Sequence, residues 1–297
     1  MARKHILHML TPLKQMSPFD VNMALDAGFD AVVPYVGVDL REVTGLVQDA
    51  IFSRPPDAGV DTGIFIAGKD ALLALDMFDA AKKAMVPPFK ISVFADPAGS
   101  FTTAAAMVAK VEKALESKFQ RSLKGTRISV FGATGVVGFC TAVIASREGA
   151  KVTLAGYDGA ERVKKIAAGM KDRFKVDVGA VDGSTDAAKK SLVDDSEVVL
   201  ACARAGIQVI SKQQLKGSGL LIAADVNAVP PAGIEGLDVH ANGDPLEATK
   251  AVGIGPLAIG NVKYKVESGL FKRMIDSEKA VTLDFQDAFS LAREIAK

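Results

Sequence analysis

The sequence predicts an α/β protein of two domains with parallel sheets. Its 297 residues exceed the usual length of one domain. Apolar runs of strand length alternate with segments of helical periodicity, which is typical of parallel strand pairing. At 127–138 the stretch RISVFGATGVVG joins a strand to a helix through a glycine-spaced turn, and the alternation then continues. We therefore expect domains at 1–120 and 121–258, followed by C-terminal helices at 259–297.

The first 120 residues contain four strand–helix pairs. The expected strands lie at 4–10, 30–37, 62–68 and 90–96, and the helices that follow them lie at 17–28, 40–53, 69–86 and 101–117. The first helix has clear end signals, because Ser17 is suited to the N-cap, Pro18 to the first helical position and Gly28 to the C-terminus. Residues 118–125 are polar without a strong pattern and are expected to join the domains.

The second half repeats the alternation. Strands are expected near 127–131, 151–155, 174–181, 197–202, 220–224 and 237–240, with helices in most of the gaps. Two further helices are expected at 261–276 and 282–296, and apolar residues form one stripe along the second of them. The sequence leaves open whether these end helices pack on the first domain.

The glycine turn predicts a nucleotide-binding, Rossmann-like second domain. Gly132 permits a sharp turn, Gly135 lets backbone approach a pyrophosphate, and Gly138 lets the helix pack near the strand. The helix N-terminus offers unpaired N–H groups to phosphate. An ordinary strand–helix turn also uses glycine, but the context favours a cofactor. Asp158 follows the next strand, 20 residues beyond Gly138, where a carboxylate can accept hydrogen bonds from a ribose.

Polar residues after the strands of the first domain are candidates for a substrate site, because ligands of such sheets lie beyond the carboxyl ends of the strands. Ser100, Thr102 and Thr103 begin a helix after strand 90–96; an N-cap and a turn are the alternative role for this loop. Lys14 and Asp20 follow the first strand. An Asp in the first turn of a helix usually only complements the helix dipole.

Two segments of the second half add candidates. Ala203 follows strand 197–202, and Asn227 lies in a loop that is either a wall of a nicotinamide pocket or a connector. The glycine-rich stretch 253–260 delivers Lys263 to an expected helix start, where a lysine opposes the dipole. The expected cofactor-binding residues are Gly132, Ala133, Thr134, Gly135, Val136, Val137, Gly138, Tyr157, Asp158, Ala203 and Asn227.

Composition excludes several classes of function. A net charge of +1 without a long basic run argues against nucleic acid as a partner. Cys140 and Cys202 form no C-x-x-C motif and the three histidines form no ligand cluster, so no catalytic metal is expected, although a magnesium site made of carboxylates stays open. The apolar run 6–10 is too short for a signal peptide or a membrane span. We expect a cytoplasmic homo-oligomer that acts on a small molecule.

These loops together resemble the methylene-tetrahydromethanopterin dehydrogenases of methylotrophic bacteria, which are relatives of the folate-dependent methylene dehydrogenases. The matching segments are SPFDV (17–21), DPAGSFTTAAA (96–106), GATGVVG (132–138), RFKVDV (173–178), ADVNAVPPAGI (224–234) and AIGNVKYK (258–265). The resemblance implies two α/β domains with the pterin in a cleft between them and a pyridine nucleotide on the second. The implied reaction passes a hydride from the one-carbon bridge to NAD or NADP, without metal or flavin, in one-carbon (formaldehyde) oxidation.

Under that resemblance, Asp20 and Lys263 are the expected catalytic residues. The methenyl product is a delocalised cation, so a carboxylate such as Asp20 suits the growing positive charge. Lys263 and Lys14 would hold polar edges of the pterin or orient Asp20, and Ser100, Thr102 and Thr103 complete the expected substrate contacts.

Two questions stay open at this point. Asp158 favours a free ribose hydroxyl over a phosphate, while Arg162, Lys164 and Lys165 close behind offset that repulsion, so we predict NAD use with NADP also accepted. The alternatives are a methylene-tetrahydrofolate, shikimate or amino-acid dehydrogenase of the same two-domain type, or a nucleotide-binding module without catalysis.

Overall fold

The computed structural model describes residues 3–247 and 249–296, which form two compact units. Unit 1 comprises Met1–Thr102 and Tyr264–Leu291, and unit 2 comprises Thr103–Lys263 and Ala292–Lys297. This division follows backbone contacts and passes through three helices, so the domain limits expected at 120 and 258 stay a prediction. The α/β class with parallel sheets is confirmed.

Unit 1 is built on a five-stranded parallel sheet. Its strands are β1 (Ile6–Thr11), β2 (Ala31–Val36), β3 (Thr62–Ile66), β4 (Ser92–Ala95) and β12 (Thr282–Leu283), in the order β12-β4-β3-β1-β2. Its own helices are α1 (Pro18–Asp26), α2 (Val43–Phe52) and α3 (Ala71–Lys83). Three more helices have residues in both units, namely α4 (Ser100–Phe119), α9 (Pro256–Asp276) and α10 (Phe285–Ile295). Strand β1 lies between β2 and β3, and its Ile6 pairs with Ala31 on one side and Thr62 on the other.

The core of unit 1 includes the second half of α9. The Phe271 ring lies 5.2 Å from that of Phe65 and 5.1 Å from that of Phe94, and all three side chains are fully buried. Burying aromatic side chains of this size contributes about 2–3 kcal/mol each. The sequence left the packing of the end helices open, and Phe271 shows that α9 contributes to the core of the first sheet.

Unit 2 is built on a seven-stranded sheet, parallel except at one edge. Its strands are β5 (Arg127–Phe131), β6 (Lys151–Gly156), β7 (Gly179–Asp182), β8 (Val198–Ala201), β9 (Ile222–Asp225), β10 (Asn242–Pro245) and β11 (Val252–Ile254), in the order β10-β11-β9-β8-β5-β6-β7. Its own helices are α5 (Val136–Arg147), α6 (Ala160–Phe174), α7 (Asp186–Asp194) and α8 (Lys212–Leu215). The chain runs outward from β5 in one direction and from β8 in the other, so the strand order reverses between them.

The predicted positions of two strands in unit 2 are wrong. Residues 237–240 form a turn, because the Asp238 carboxylate accepts a hydrogen bond of 2.7 Å from the His240 N–H. The edge strands are instead β10 and β11. The strand expected at 174–181 covers only β7, because α6 continues to Phe174, whose ring packs on Phe139 with centroids 5.9 Å apart.

The end helices also begin at other residues than the sequence predicts. Helix α9 begins at Pro256 rather than at 261, because proline fits the first helical turn. The residues that follow Pro256, including Gly260, are helical. Helix α10 begins at Phe285 rather than at 282. Thr282 and Leu283 pair with β4 as β12, and Leu283 is buried there.

No helix in the described part of the chain is long and apolar enough to cross a bilayer.

Candidate functional site

The glycine turn of unit 2 lies where the strand order of its sheet reverses. Gly132 follows β5 with a φ of +84°, in the left-handed region. A Cβ on this residue would lie 2.6 Å from the Ala203 N and from the carbonyl carbon and oxygen of Cys202, which follow β8. The structure therefore brings together the turn and Ala203, and only glycine fits their approach.

The remaining glycines of the turn have different surroundings. A Cβ on Gly138 would lie 2.5 Å from the Gly132 O, so this position is closed by the turn itself. Gly135 is exposed, and a Cβ there would meet only the Gly132 O, at 3.5 Å. Gly135 is the N-cap of α5 and supplies no side chain to its first N–H groups. The arrangement suits an anion at the start of α5, as a bound pyrophosphate requires.

The second candidate feature is the turn after β6. Gly156 and Gly159 approach so closely that a Cβ on Gly156 would lie 1.9 Å from the Gly159 O. Tyr157 and Asp158 point outward between them, and both are exposed. Arg162 of α6 donates a hydrogen bond of 2.7 Å to the Tyr157 Oη, and its Nη1 lies 3.7 Å from the Asp158 Oδ2. The three side chains form one cluster at the end of β6.

The loops after β8 and β9 are tied together by Asn227. Its Oδ1 accepts hydrogen bonds from the N–H groups of Gly206 (3.1 Å) and Val229 (2.9 Å), and its Nδ2 donates to the Pro231 O at 2.8 Å. The side chain is buried. The structure thus gives the Asn227 amide a positioning role between the loops after β8 and β9, while its expected cofactor contact stays a prediction.

Asp225, the last residue of β9, organises the same loop. The residue is 1% exposed, and its carboxylate accepts hydrogen bonds from the N–H groups of Asn227 (2.9 Å) and Ile234 (3.1 Å). Burial raises the pKa of this carboxyl, although the backbone N–H groups around it act in the opposite direction. Asp225 holds both ends of the loop.

In unit 1 the loop after β4 is organised by Asp96. Its fully buried carboxylate accepts hydrogen bonds from the N–H groups of Phe101 (2.8 Å) and Thr102 (3.3 Å), which belong to the first turn of α4. The Thr102 hydroxyl donates to the same carboxylate at 2.6 Å. The structure gives this hydroxyl a capping partner, so a substrate contact by Thr102 stays a prediction. Ser100 is 8% exposed in the same turn.

The loop bends through two consecutive residues with left-handed backbone. Gly99 has a φ of +62°, and Ala98 before it has a φ of +54°. For alanine this conformation costs about 1–2 kcal/mol. The hydrogen bonds of Asp96 to the start of α4 offset that cost, and they hold the loop in the shape that places Ser100.

Replacing Asp96 by alanine should therefore lower the free energy of unfolding by about 2–4 kcal/mol, since three donors lose a buried, charged acceptor. Equilibrium unfolding in urea measures the change. Asp70→Ala is the matched control, because Asp70 is an exposed N-cap that accepts one hydrogen bond, of 2.9 Å, from the Leu73 N–H. That control should cost about 1 kcal/mol. Equal losses in the two variants would contradict the role of Asp96.

Asp20 and Lys14 follow β1 in unit 1. Asp20 occupies the third position of α1, where its N–H donates to the Ser17 Oγ at 3.4 Å, and only 2% of the residue is exposed. Helix α1 begins at Pro18 with Ser17 as N-cap, as the sequence predicts. Lys14 is exposed. A carboxylate so deeply buried is unusual for a residue that only complements a dipole.

The structure moves Lys263 away from a helix end. Because α9 begins at Pro256, Lys263 lies two turns inside the helix and is half-buried. The dipole argument for this lysine is therefore wrong. Lys263 and Thr103 belong to unit 2, whereas Asp20, Lys14 and Ser100 belong to unit 1.

Sequence reasoning did not single out Asp96 or Asp225. Asp96 directly follows β4, and Asp225 is the last residue of β9. Each precedes a loop that contains glycine and proline, and this position at the end of a buried strand is the available signal. In the part of the chain that the structure describes, no three His, Cys, Asp or Glu side chains converge on a possible metal position.

Comparison with known proteins identifies close relatives. A family model described as "Methylene-tetrahydromethanopterin dehydrogenase, N-terminal" matches residues 18–98. The chain is 58% identical, over all 297 residues and the full length of both proteins, to the NAD(P)-dependent methylenetetrahydromethanopterin dehydrogenase of Methylorubrum extorquens. It is 33% identical over 281 residues to the bifunctional protein MdtA of the same organism, covering 94% of this chain and 95% of that protein.

Among solved structures, 5-ketofructose reductase of Gluconobacter shares the fold. The TM-score is 0.55 at 16% sequence identity, and the match covers 99% of each chain.

Proposed function

This chain belongs to the family of methylene-tetrahydromethanopterin dehydrogenases and is an NAD(P)-dependent oxidoreductase, and from that premise we propose how its residues serve the reaction. The reaction takes a hydride from methylene-tetrahydromethanopterin and gives methenyl-tetrahydromethanopterin. The full-length identity of 58% carries this conclusion and supports it over the other dehydrogenase types and the non-catalytic module.

The glycine turn fits the dinucleotide. A Cβ at Gly132 or Gly138 would clash with neighbouring backbone atoms, whereas Gly135 is open to solvent at the start of α5. Backbone N–H groups at this helix start would hold the pyrophosphate, and Asp158 would accept hydrogen bonds from the adenosine ribose. When bound, the nicotinamide ring supplies the hydride acceptor.

Asp20 is the residue that we assign to the reacting end of the substrate. The hydrogen of the one-carbon bridge leaves as a hydride with both electrons of the C–H bond. The positive charge that remains spreads over the two nitrogens beside the carbon. The reacting carbon needs no base, so the protein's task is to align the reactants and stabilise the charge. The Asp20 carboxylate is suited to that stabilisation, because burial strengthens its field.

The other polar residues would orient the pterin. Lys14, Lys263, Ser100, Thr102 and Thr103 carry donors that match its carbonyl and amide edges. These donors would fix the substrate, and the Asp96 network would keep the Ser100 loop in shape. We further propose that the protein is a homo-oligomer. Its cysteine usage supports a place in the cytoplasm, and its near-zero net charge argues against binding to nucleic acid.

A spectrophotometric assay for reduced nicotinamide tests the function. We expect reduction of NAD and of NADP with methylene-tetrahydromethanopterin, because Asp158 and Arg162 lie side by side at the turn where we propose that the ribose binds. Methylene-tetrahydrofolate is the comparison substrate for pterin preference. Absence of reduction with methylene-tetrahydromethanopterin would overturn the function, and strict use of NADP would overturn the role of Asp158.

A further inference from the structure

We propose that Arg162 is the residue that admits NADP beside NAD, by exchanging its partner Asp158 for the 2′-phosphate of the nucleotide. The inference rests on the proposed function, which places the adenosine ribose at the turn after β6. It assigns the second nucleotide to one side chain and explains how one site accepts two ligands that differ by a phosphate.

Arg162 is held at the turn by contacts with two residues, Tyr157 and Asp158. Its Nη1 donates to the Tyr157 Oη at 2.7 Å, and the guanidinium carbon lies 5.7 Å from the centre of the Tyr157 ring. The same Nη1 lies 3.7 Å from the Asp158 Oδ2, and the side chains of Arg162 and Asp158 are 54% and 43% exposed. The guanidinium is therefore positioned by Tyr157 and remains accessible to a ligand.

The neighbouring cations are placed differently. Lys164 pairs with Glu161 at 2.8 Å, and this contact lowers the pKa of the Glu161 carboxyl. Lys164 therefore has its own carboxylate on the surface of α6. Arg162 is the cation that the structure joins to both side chains of the turn.

The charge of each nucleotide determines whether it interacts with Asp158 or with Arg162. The ribose of NAD presents two hydroxyl groups, which donate to the Asp158 carboxylate and leave its pairing with Arg162 intact. The 2′-phosphate of NADP carries about −1.5 to −2 charges at neutral pH and is repelled by that carboxylate. A guanidinium binds phosphate through parallel N–H donors, and a half-exposed ion pair holds it only weakly. Breaking the Arg162–Asp158 pair to bind the phosphate therefore costs little free energy.

Tyr157 holds Arg162 at the turn while Arg162 changes its partner. Its hydroxyl accepts the Arg162 hydrogen bond, and the close approach of Gly156 and Gly159 fixes the backbone on which it stands. The guanidinium can leave the carboxylate without leaving the turn, because the tyrosine contact does not depend on Asp158.

Equilibrium binding of NADH and NADPH tests the proposal without turnover. The chain contains no tryptophan, so the emission of the reduced nicotinamide can be followed on a low protein background. Arg162→Met should weaken NADPH binding by about tenfold or more and change NADH binding by less than about twofold. Lys171→Met is the control, because it removes one positive charge from the same helix, where Lys171 faces Asp177 at 3.5 Å. The control should change neither affinity by more than about twofold.

Asp158→Asn supplies the reciprocal test. Removing the carboxylate should tighten NADPH binding and weaken NADH binding, since both the repulsion and the ribose acceptor are lost. The proposal is overturned if Arg162→Met weakens both nucleotides equally or leaves NADPH binding unchanged. A wild-type protein that binds neither nucleotide would instead overturn the proposed function, and this inference with it.

Discussion

Replacing Gly132 by alanine should weaken NADH and NADPH binding by more than about tenfold and lower the free energy of unfolding by about 3 kcal/mol. A Cβ would lie 2.6 Å from the backbone of Cys202 and Ala203, and backbone cannot turn aside as a long side chain can. The φ of +84° adds strain for any residue with a Cβ. Fluorescence titration and urea unfolding measure the two effects on one preparation.

Gly125→Ala is the matched control for strain alone. Gly125 has a φ of +78°, and a Cβ there would have no neighbour within 4 Å. It should cost about 1–2 kcal/mol of stability and leave nucleotide binding unchanged. If the Gly132 and Gly125 variants lose the same stability and both bind nucleotide normally, the turn does not form the cofactor site.

Replacing Asp20 by asparagine should lower kcat at least ~100-fold while NADH affinity stays nearly constant. Asparagine keeps the shape and hydrogen-bonding capacity of the side chain but removes the charge that, in our proposal, stabilises the cationic product. Steady-state kinetics with saturating nucleotide measures kcat, and NADH titration measures the affinity. Urea unfolding of the same variant separates lost charge from lost structure.

Asp26→Asn removes a carboxylate from the other end of the same helix. Asp26 is exposed in the last turn of α1, so this variant should retain the wild-type kcat. A kcat for Asp20→Asn near that of the control would remove Asp20 from the mechanism. An equal drop in both variants would point to the helix as a whole.

Sequence patterns predicted the features that local rules dictate. The Gly132 turn follows from glycine spacing, and the start of α1 follows from Ser17 and Pro18, because each depends on residues close in the chain. The spacing of Asp158 from the turn predicts its place after β6, where the structure has it, while its ribose contact stays a prediction. Such features need no knowledge of tertiary packing.

Features that depend on distant partners could not be predicted in this way. The two-residue strand β12 exists because Thr282 and Leu283 pair with a strand nearly two hundred residues earlier. The position of Lys263 depends on where α9 begins, and an apolar glycine-containing stretch fits a loop as well as a helix. The buried role of Asp96 depends on the loop's unusual backbone, which no residue preference announces at Ala98.

The glycine pair at the end of β6 has an evolutionary consequence. Gly156 and Gly159 set the path of the turn through backbone contact alone, while the side chains between them are exposed. Substitutions at exposed positions usually change stability by no more than about 0.5 kcal/mol. Under our proposal for Arg162 and Asp158, one or two substitutions would therefore change the preference between NAD and NADP during evolution, without any change in the backbone contact of Gly156 and Gly159.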